Sequence, residues 1–166
     1  MKTMLGPVCL SLIVPLAGQA SFVTYGQGCN NRGIPPVLPL TIHAQGVPAL
    51  GKSIEISVHG GPTFSVPYHF NKLFFTGVSR SSYLGWPLPL QIPPWMMNYT
   101  GNCDLLCSRE IVEPVNPATV QIHIPQEPRL IGAKLYHQWY IWYFVTGSFP
   151  DSFSIVSNGG EMTIGL

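Results

Sequence analysis

Charge is what this chain most conspicuously lacks. Only 9 % of its 166 residues are Asp, Glu, Lys or Arg, against about 25 % in an average soluble domain. That scarcity excludes a polyelectrolyte tail, a coiled coil and a charge-laced helical bundle. Long apolar runs are scarce as well. Beyond the first twenty residues none reaches the roughly 20 residues of a membrane-spanning helix, and the nearest candidate, 135–145, is interrupted by His137 and Gln138. Uninterrupted helix-compatible sequence is rare, because 17 Gly and 17 Pro punctuate the chain and both residues break helices. What is present is apolar: 46 % hydrophobic residues exclude wholesale disorder, which needs low hydrophobicity and high net charge. These constraints leave a compact, turn-rich, mostly β domain.

The first twenty residues read as a secretory signal. Lys2 supplies a positive start, and 4–16 is a mostly apolar stretch broken by Pro7 and Pro15. Gly18-Gln19-Ala20 offers the small residues a signal peptidase reads. The expectation is a signal peptide over 1–20, cleaved after Ala20, and a secreted or extracytoplasmic mature chain without a membrane span. Loss of Lys2 would leave seven basic against seven acidic residues. A neutral surface has no electrostatic footprint for DNA, RNA or anionic lipid, so nucleic acid is excluded as a partner. Cys29, Cys103 and Cys107 remain, and an oxidising compartment favours one disulfide among them. Cys29–Cys103 would close a long loop, which the chain-entropy model credits with on the order of 4 kcal/mol; Cys103–Cys107 would staple a local turn. A zinc site is the sharper alternative, although C-x3-C matches the usual zinc spacing poorly.

Along the chain, 21–33 reads as an opening loop and 34–166 as one domain. Prolines 35, 36 and 39 confine 34–44 to an edge or to polyproline-like backbone. Residues 52–59 alternate Ile54, Ile56 and Val58 with Glu55, Ser57 and His59, the period of a half-buried strand. Further strands are expected at 73–79 and 119–124, and a short helical turn within 125–130. The run 134–145 is the longest β-prone stretch, rich in Tyr, Trp, Ile and Phe. Segments 153–156 and 162–164 flank Asn158-Gly159, a strong hairpin-turn dipeptide. Seven or eight short strands without βαβ alternation predict an all-β fold. The expected architecture is a single antiparallel β-sandwich, immunoglobulin-like or jelly-roll-like.

Several ordered stretches carry a resemblance. They are Tyr25-Gly26-Gln27-Gly28-Cys29, then Gln45-Gly46-Val47-Pro48-Ala49-Leu50-Gly51 leading to Gly60-Gly61-Pro62, then Gly85-Trp86-Pro87-Leu88-Pro89-Leu90. The last block holds Pro125-Gln126-Glu127-Pro128, Leu130-Ile131-Gly132, Leu135-Tyr136 and Gln138-Trp139, followed by Ser157-Asn158-Gly159 and Thr163-Ile164-Gly165. Together they resemble a family of short secreted β-sandwich domains of planctomycete and myxobacterial type, whose function is not established. The resemblance implies a secreted β module and no particular reaction. It also implies the pairing Cys29–Cys103, with Cys107 departing from the pattern.

No catalytic constellation is visible: G-x-S-x-G, H-E-x-x-H and Gly-rich phosphate loops are absent. Glu110 and Glu113 are three apart, which in a strand puts them on opposite faces. Neither catalysis, a cofactor nor a metal is therefore expected. His59 and His123 both fall on the polar side of an alternating strand and are the one pair that a small metal-dependent hydrolase could use. Aromatic rings offer the better signal, because exposed rings stack on sugar faces. Trp86, Trp95, Tyr99 and Trp142 are the candidate ligand-binding residues; Trp95 and Tyr99 lie in Pro94-Trp95-Met96-Met97-Asn98-Tyr99, a segment costly to expose without a partner. In 134–145 both faces are aromatic, which also fits a central strand covered on both sides. The expected function is a secreted or cell-surface non-catalytic module that binds a glycan or an envelope protein; a sorting or anchoring domain is the structural alternative.

Overall fold

The computed structural model describes residues 18–30, 38–61, 68–93, 102–145 and 148–166. In chain order its strands are β1 (Ser21–Tyr25), β2 (Cys29–Asn30), β3 (Leu38–Gln45), β4 (Ser53–Gly61), β5 (Tyr68–Gly77), β6 (Ser82–Tyr83) and β7 (Trp86–Pro87). They continue with β8 (Leu90–Ile92), β9 (Asn102–Leu105), β10 (Ile111–Pro114), β11 (Thr119–His123), β12 (Lys134–Val145), β13 (Ser148–Val156) and β14 (Gly159–Thr163). The one helical element among the described residues is a 3₁₀ turn at Pro128–Leu130, inside the stretch where a helical turn is expected. The fold is all-β, antiparallel and sandwich-like.

β12 is its axis. One edge pairs with β5 from Tyr136↔Gly77 to Val145↔Tyr68. The other edge pairs first with β14 and then with β13. β1 and β10 complete this six-stranded sheet at its two sides. On one face lies the three-stranded sheet β11-β4-β3, whose Ile42, Ile54 and Ile56 pack with Phe74, Trp139 and Met162. The expected alternation of β4 is therefore real: Ile54 and Ile56 are fully buried, whereas Ser53 and Glu55 are exposed. On the other face the small sheet β2-β9-β8 sets Leu105 against Phe75 and Tyr136, with Leu90 and Ile92 alongside. A disulfide joins Cys29 to Cys103, which stand directly opposite in the β2–β9 pair.

Two sequence expectations are corrected. The 21–33 stretch is not simply a loop, because Ser21–Tyr25 pairs antiparallel with β14. Phe22 packs against the main core and Tyr25 against the cluster beneath the small sheet, its hydroxyl donating to Leu106 O at 3.0 Å, so a five-residue strand that looks like Gly- and Asn-rich linker is held by two rings. Nor do the segments flanking Asn158-Gly159 form a hairpin. β13 and β14 both run antiparallel to β12 along the same edge, one after the other. Tyr140↔Val156 and His137↔Gly160 leave three residues facing two, which is a β-bulge at Ser157-Asn158.

Side chains hold that bulge in place. Ser157 N–H donates to the Trp139 carbonyl, and Trp139 N–H donates to Ser157 Oγ, each at 2.9 Å. Asn158 leaves the sheet and docks on β3, its N–H donating to Leu40 O at 3.3 Å and its Oδ1 accepting from Ile42 N–H at 2.7 Å. Gln138, fully buried, closes the arrangement. Its Nε2 donates to Ser157 O at 2.8 Å and Asp104 O at 2.9 Å, and its Oε1 accepts from Leu106 N–H at 3.0 Å. Gly28 has φ +66°, and a Cβ there would strike the Ser157 carbonyl, so only glycine lets β2 approach.

Burial also governs His137. It is fully enclosed, stacked on Phe74 at 5.2 Å between ring centroids, with Nδ1 3.1 Å from Thr76 Oγ1. Burial pushes its pKa down to about 3, so the folded protein keeps the ring neutral.

Two stability predictions follow from these groups. Gln138→Leu leaves one N–H and two carbonyls buried without partners and should lower the unfolding free energy by about 2–4 kcal/mol; an unchanged urea midpoint would contradict the role given to the amide. Unfolded His137 titrates near 6.5 and folded His137 near 3, so the unfolded chain binds the extra proton. Its contribution is intact above about pH 6.5 and is lost at roughly 1.4 kcal/mol per unit as pH falls toward 3. His137→Phe should flatten denaturation midpoints between pH 6.5 and 4.5; an unaltered slope would exclude His137 as the source.

Candidate functional site

β5, β10 and β12 together build an open cleft of ≈ 560 Å³ on the side of the large sheet away from β3 and β4. The register Trp142↔Asn71 and Tyr140↔Leu73↔Pro114 puts these residues on one face, since directly opposed residues point the same way. Val115 N–H donates to Lys72 O at 2.9 Å and continues the β10 pairing past its end. This brings Asn116 to the rim. Across β12 on its other edge stands Ser154, whose Oγ accepts from the Tyr140 hydroxyl at 2.7 Å.

Trp142 is 38 % exposed within this cleft. The amides of Asn71 and Asn116 are exposed beside it. Lys72, between Asn71 and Leu73, stands opposite Ile141, so alternation carries its side chain to the other face of the sheet, where partial burial holds the ammonium below the usual lysine range. The lining thus combines an apolar ring face with amide donors and acceptors, and among the described residues it holds no carboxylate. Such a surface can stack and hydrogen-bond a polar ligand.

The other aromatic candidates lie elsewhere. Trp86 stands opposite Tyr83 in the β6–β7 ribbon, whose tip, Leu84-Gly85, has φ of 50° and 84°. Leu84 is 80 % and Trp86 64 % exposed, a projecting apolar tip that does not line the Trp142 cleft. Trp95 and Tyr99 lie outside the described residues. Sequence reasoning missed Asn71 and Asn116. It started the strand at 73, whereas β5 begins at Tyr68, and the Pro114-to-Pro117 stretch carries no periodic signal.

The histidine pair is corrected. His123 stands opposite Ser53 in the β4–β11 register, six positions from His59. At about 3.3 Å per residue the two imidazoles are roughly 20 Å apart. Among the described residues no group of three or more His, Cys, Asp or Glu converges. Glu110 and Glu113 do not converge either: Glu113 stands opposite Phe74, while Glu110 Oε2 accepts from Ser108 Oγ at 2.7 Å and Val78 N–H at 3.1 Å. Ser108 Oγ itself also accepts from Val78 and Ser79 N–H, so its lone pairs and proton are all engaged and it is no nucleophile. Cys107 is a free, buried thiol pushed up to about 12, first by burial and then by the Glu110 charge, which makes it unreactive. With Cys29 and Cys103 joined in the disulfide, the three-cysteine zinc alternative lapses.

No protein-family model, curated protein or solved structure matches this chain.

Proposed function

We propose that this protein is a non-catalytic, exported binding module whose cleft at Trp142 takes a glycan. The observation that carries the reading is Trp142 itself: a half-exposed indole set between exposed amides in a cleft whose described lining holds no carboxylate. Sugar rings present an apolar face that stacks on an indole and hydroxyls that amides can both donate to and accept from. Export is supported by the signal-like first twenty residues, the disulfide Cys29–Cys103 and the resemblance to secreted β modules. A second reading, an envelope-protein partner, is favoured by one feature only, the projecting Leu84 and Trp86; a bulky residue in the left-handed region is costly, and such strain tends to be kept where a loop has a task.

Titration with a panel of neutral and charged polysaccharides, followed by tryptophan fluorescence, tests the first reading. A saturable change is expected that Trp142→Ala weakens at least tenfold and Trp86→Ala leaves within twofold. No response from any polysaccharide, or loss of response in Trp86→Ala alone, would sink the Trp142 assignment.

A further inference from the structure

The outer face of the β3–β4 pair carries a second feature, independent of the cleft. Thr41 stands opposite His59, and His43 opposite Ser57. All four side chains share one face, and the two imidazoles lie diagonally across the strand pair. Both rings are exposed. Their centroids are 4.6 Å apart with planes at 76°. His43 Nε2 lies 3.0 Å from Thr41 Oγ1, and His59 Nε2 lies 3.1 Å from Ser57 Oγ.

The geometry points to a surface site for one imidazole-preferring divalent ion, Cu(II), Ni(II) or Zn(II), held by His43 and His59. Imidazole nitrogens bind such ions at about 2.0 Å, and two rings held at right angles on one ion have centroids about 4.5 Å apart. The observed spacing therefore needs little backbone adjustment. Exposed rings turn readily about their side-chain bonds, and swinging both nitrogens toward one ion costs only the contacts to Thr41 and Ser57. Those hydroxyls and water are left to complete the coordination, since no third His, Cys, Asp or Glu joins the pair among the described residues. A site with two nitrogens and neutral oxygens favours Cu(II) most, following the general affinity order of the divalent series. The assignment is of binding and not of hydrolysis.

The full chain, freed of any affinity tag, can be titrated with Cu(II) calorimetrically and its Cu(II) form read by electron paramagnetic resonance. One Cu(II) per chain with two coupled nitrogens is expected. His43→Ala and His59→Ala should each weaken binding at least tenfold and reduce the coupled nitrogens to one. His123→Ala, which removes a solitary exposed histidine from the same sheet, should change nothing; circular dichroism confirms that each variant is folded. Absence of binding, a signal without two nitrogens, or equal binding by either single variant and the parent would overturn the site, as would loss of binding in His123→Ala.

Discussion

A buried primary amide must find partners for every polar atom or the fold bears the cost, and Gln138 is where this protein meets that demand. The amide sits at a polar position of a strand that is apolar on both faces, with no solvent to receive it. Its bonds to Asp104 and Leu106 tie the β2-β9-β8 sheet to β12, and its bond to Ser157 fixes the carbonyl of the bulge. The bulge in turn sends Asn158 to the backbone of β3. One side chain thus sets how the two outer sheets stand on the central one, because moving any of them would leave a buried polar group unpaired.

The same demand explains why so small a sheet as β2-β9-β8 persists. Strands of two, four and three residues are too short to be stable alone. Cys29–Cys103 joins two of them covalently, and Leu105 adds apolar burial against Phe75. Val156 N–H reaches Cys29 Sγ at 3.0 Å, so the disulfide rests on the edge of β13 as the Gln138 amide rests on the bulge beyond it.

What could be read in the sequence follows from how burial writes itself into pattern. β4 and β11 each have one wet face, and their alternation of Ile or Val with Glu, Gln and His was enough to place them. β12 was legible by composition, though with both faces aromatic nothing in the string distinguishes Trp139, which is fully buried, from Trp142, which is not. The Asn158-Gly159 dipeptide misled because its turn propensity is local, whereas the bulge depends on Gln138, Asp104 and Ile42, distant in the chain. Ser21–Tyr25 was missed because a short edge strand anchored by two rings three positions apart, Phe22 and Tyr25, has too little pattern to show. The cleft suffered similarly: Asn71 and Asn116 acquire meaning only through the register that sets them beside Trp142.

The position of that cleft is a consequence of where the small sheet stops. Along one face of β12, Tyr136 and Gln138 are buried beneath β9, Tyr140 is half-buried, and Trp142 is 38 % exposed. Burial is deepest at Gln138 and falls from there through Tyr140 to Trp142. A strand whose neighbours bury most of its two faces therefore carries, past the end of the small sheet, a ring that is only partly exposed. Pairing with β5 and β13 fixes the backbone under Trp142 from both sides, so the ring is exposed without being loose. Backbone paired on both sides, more than aromatic content alone, separates Trp142 from the projecting Trp86 of the two-stranded β6–β7 ribbon.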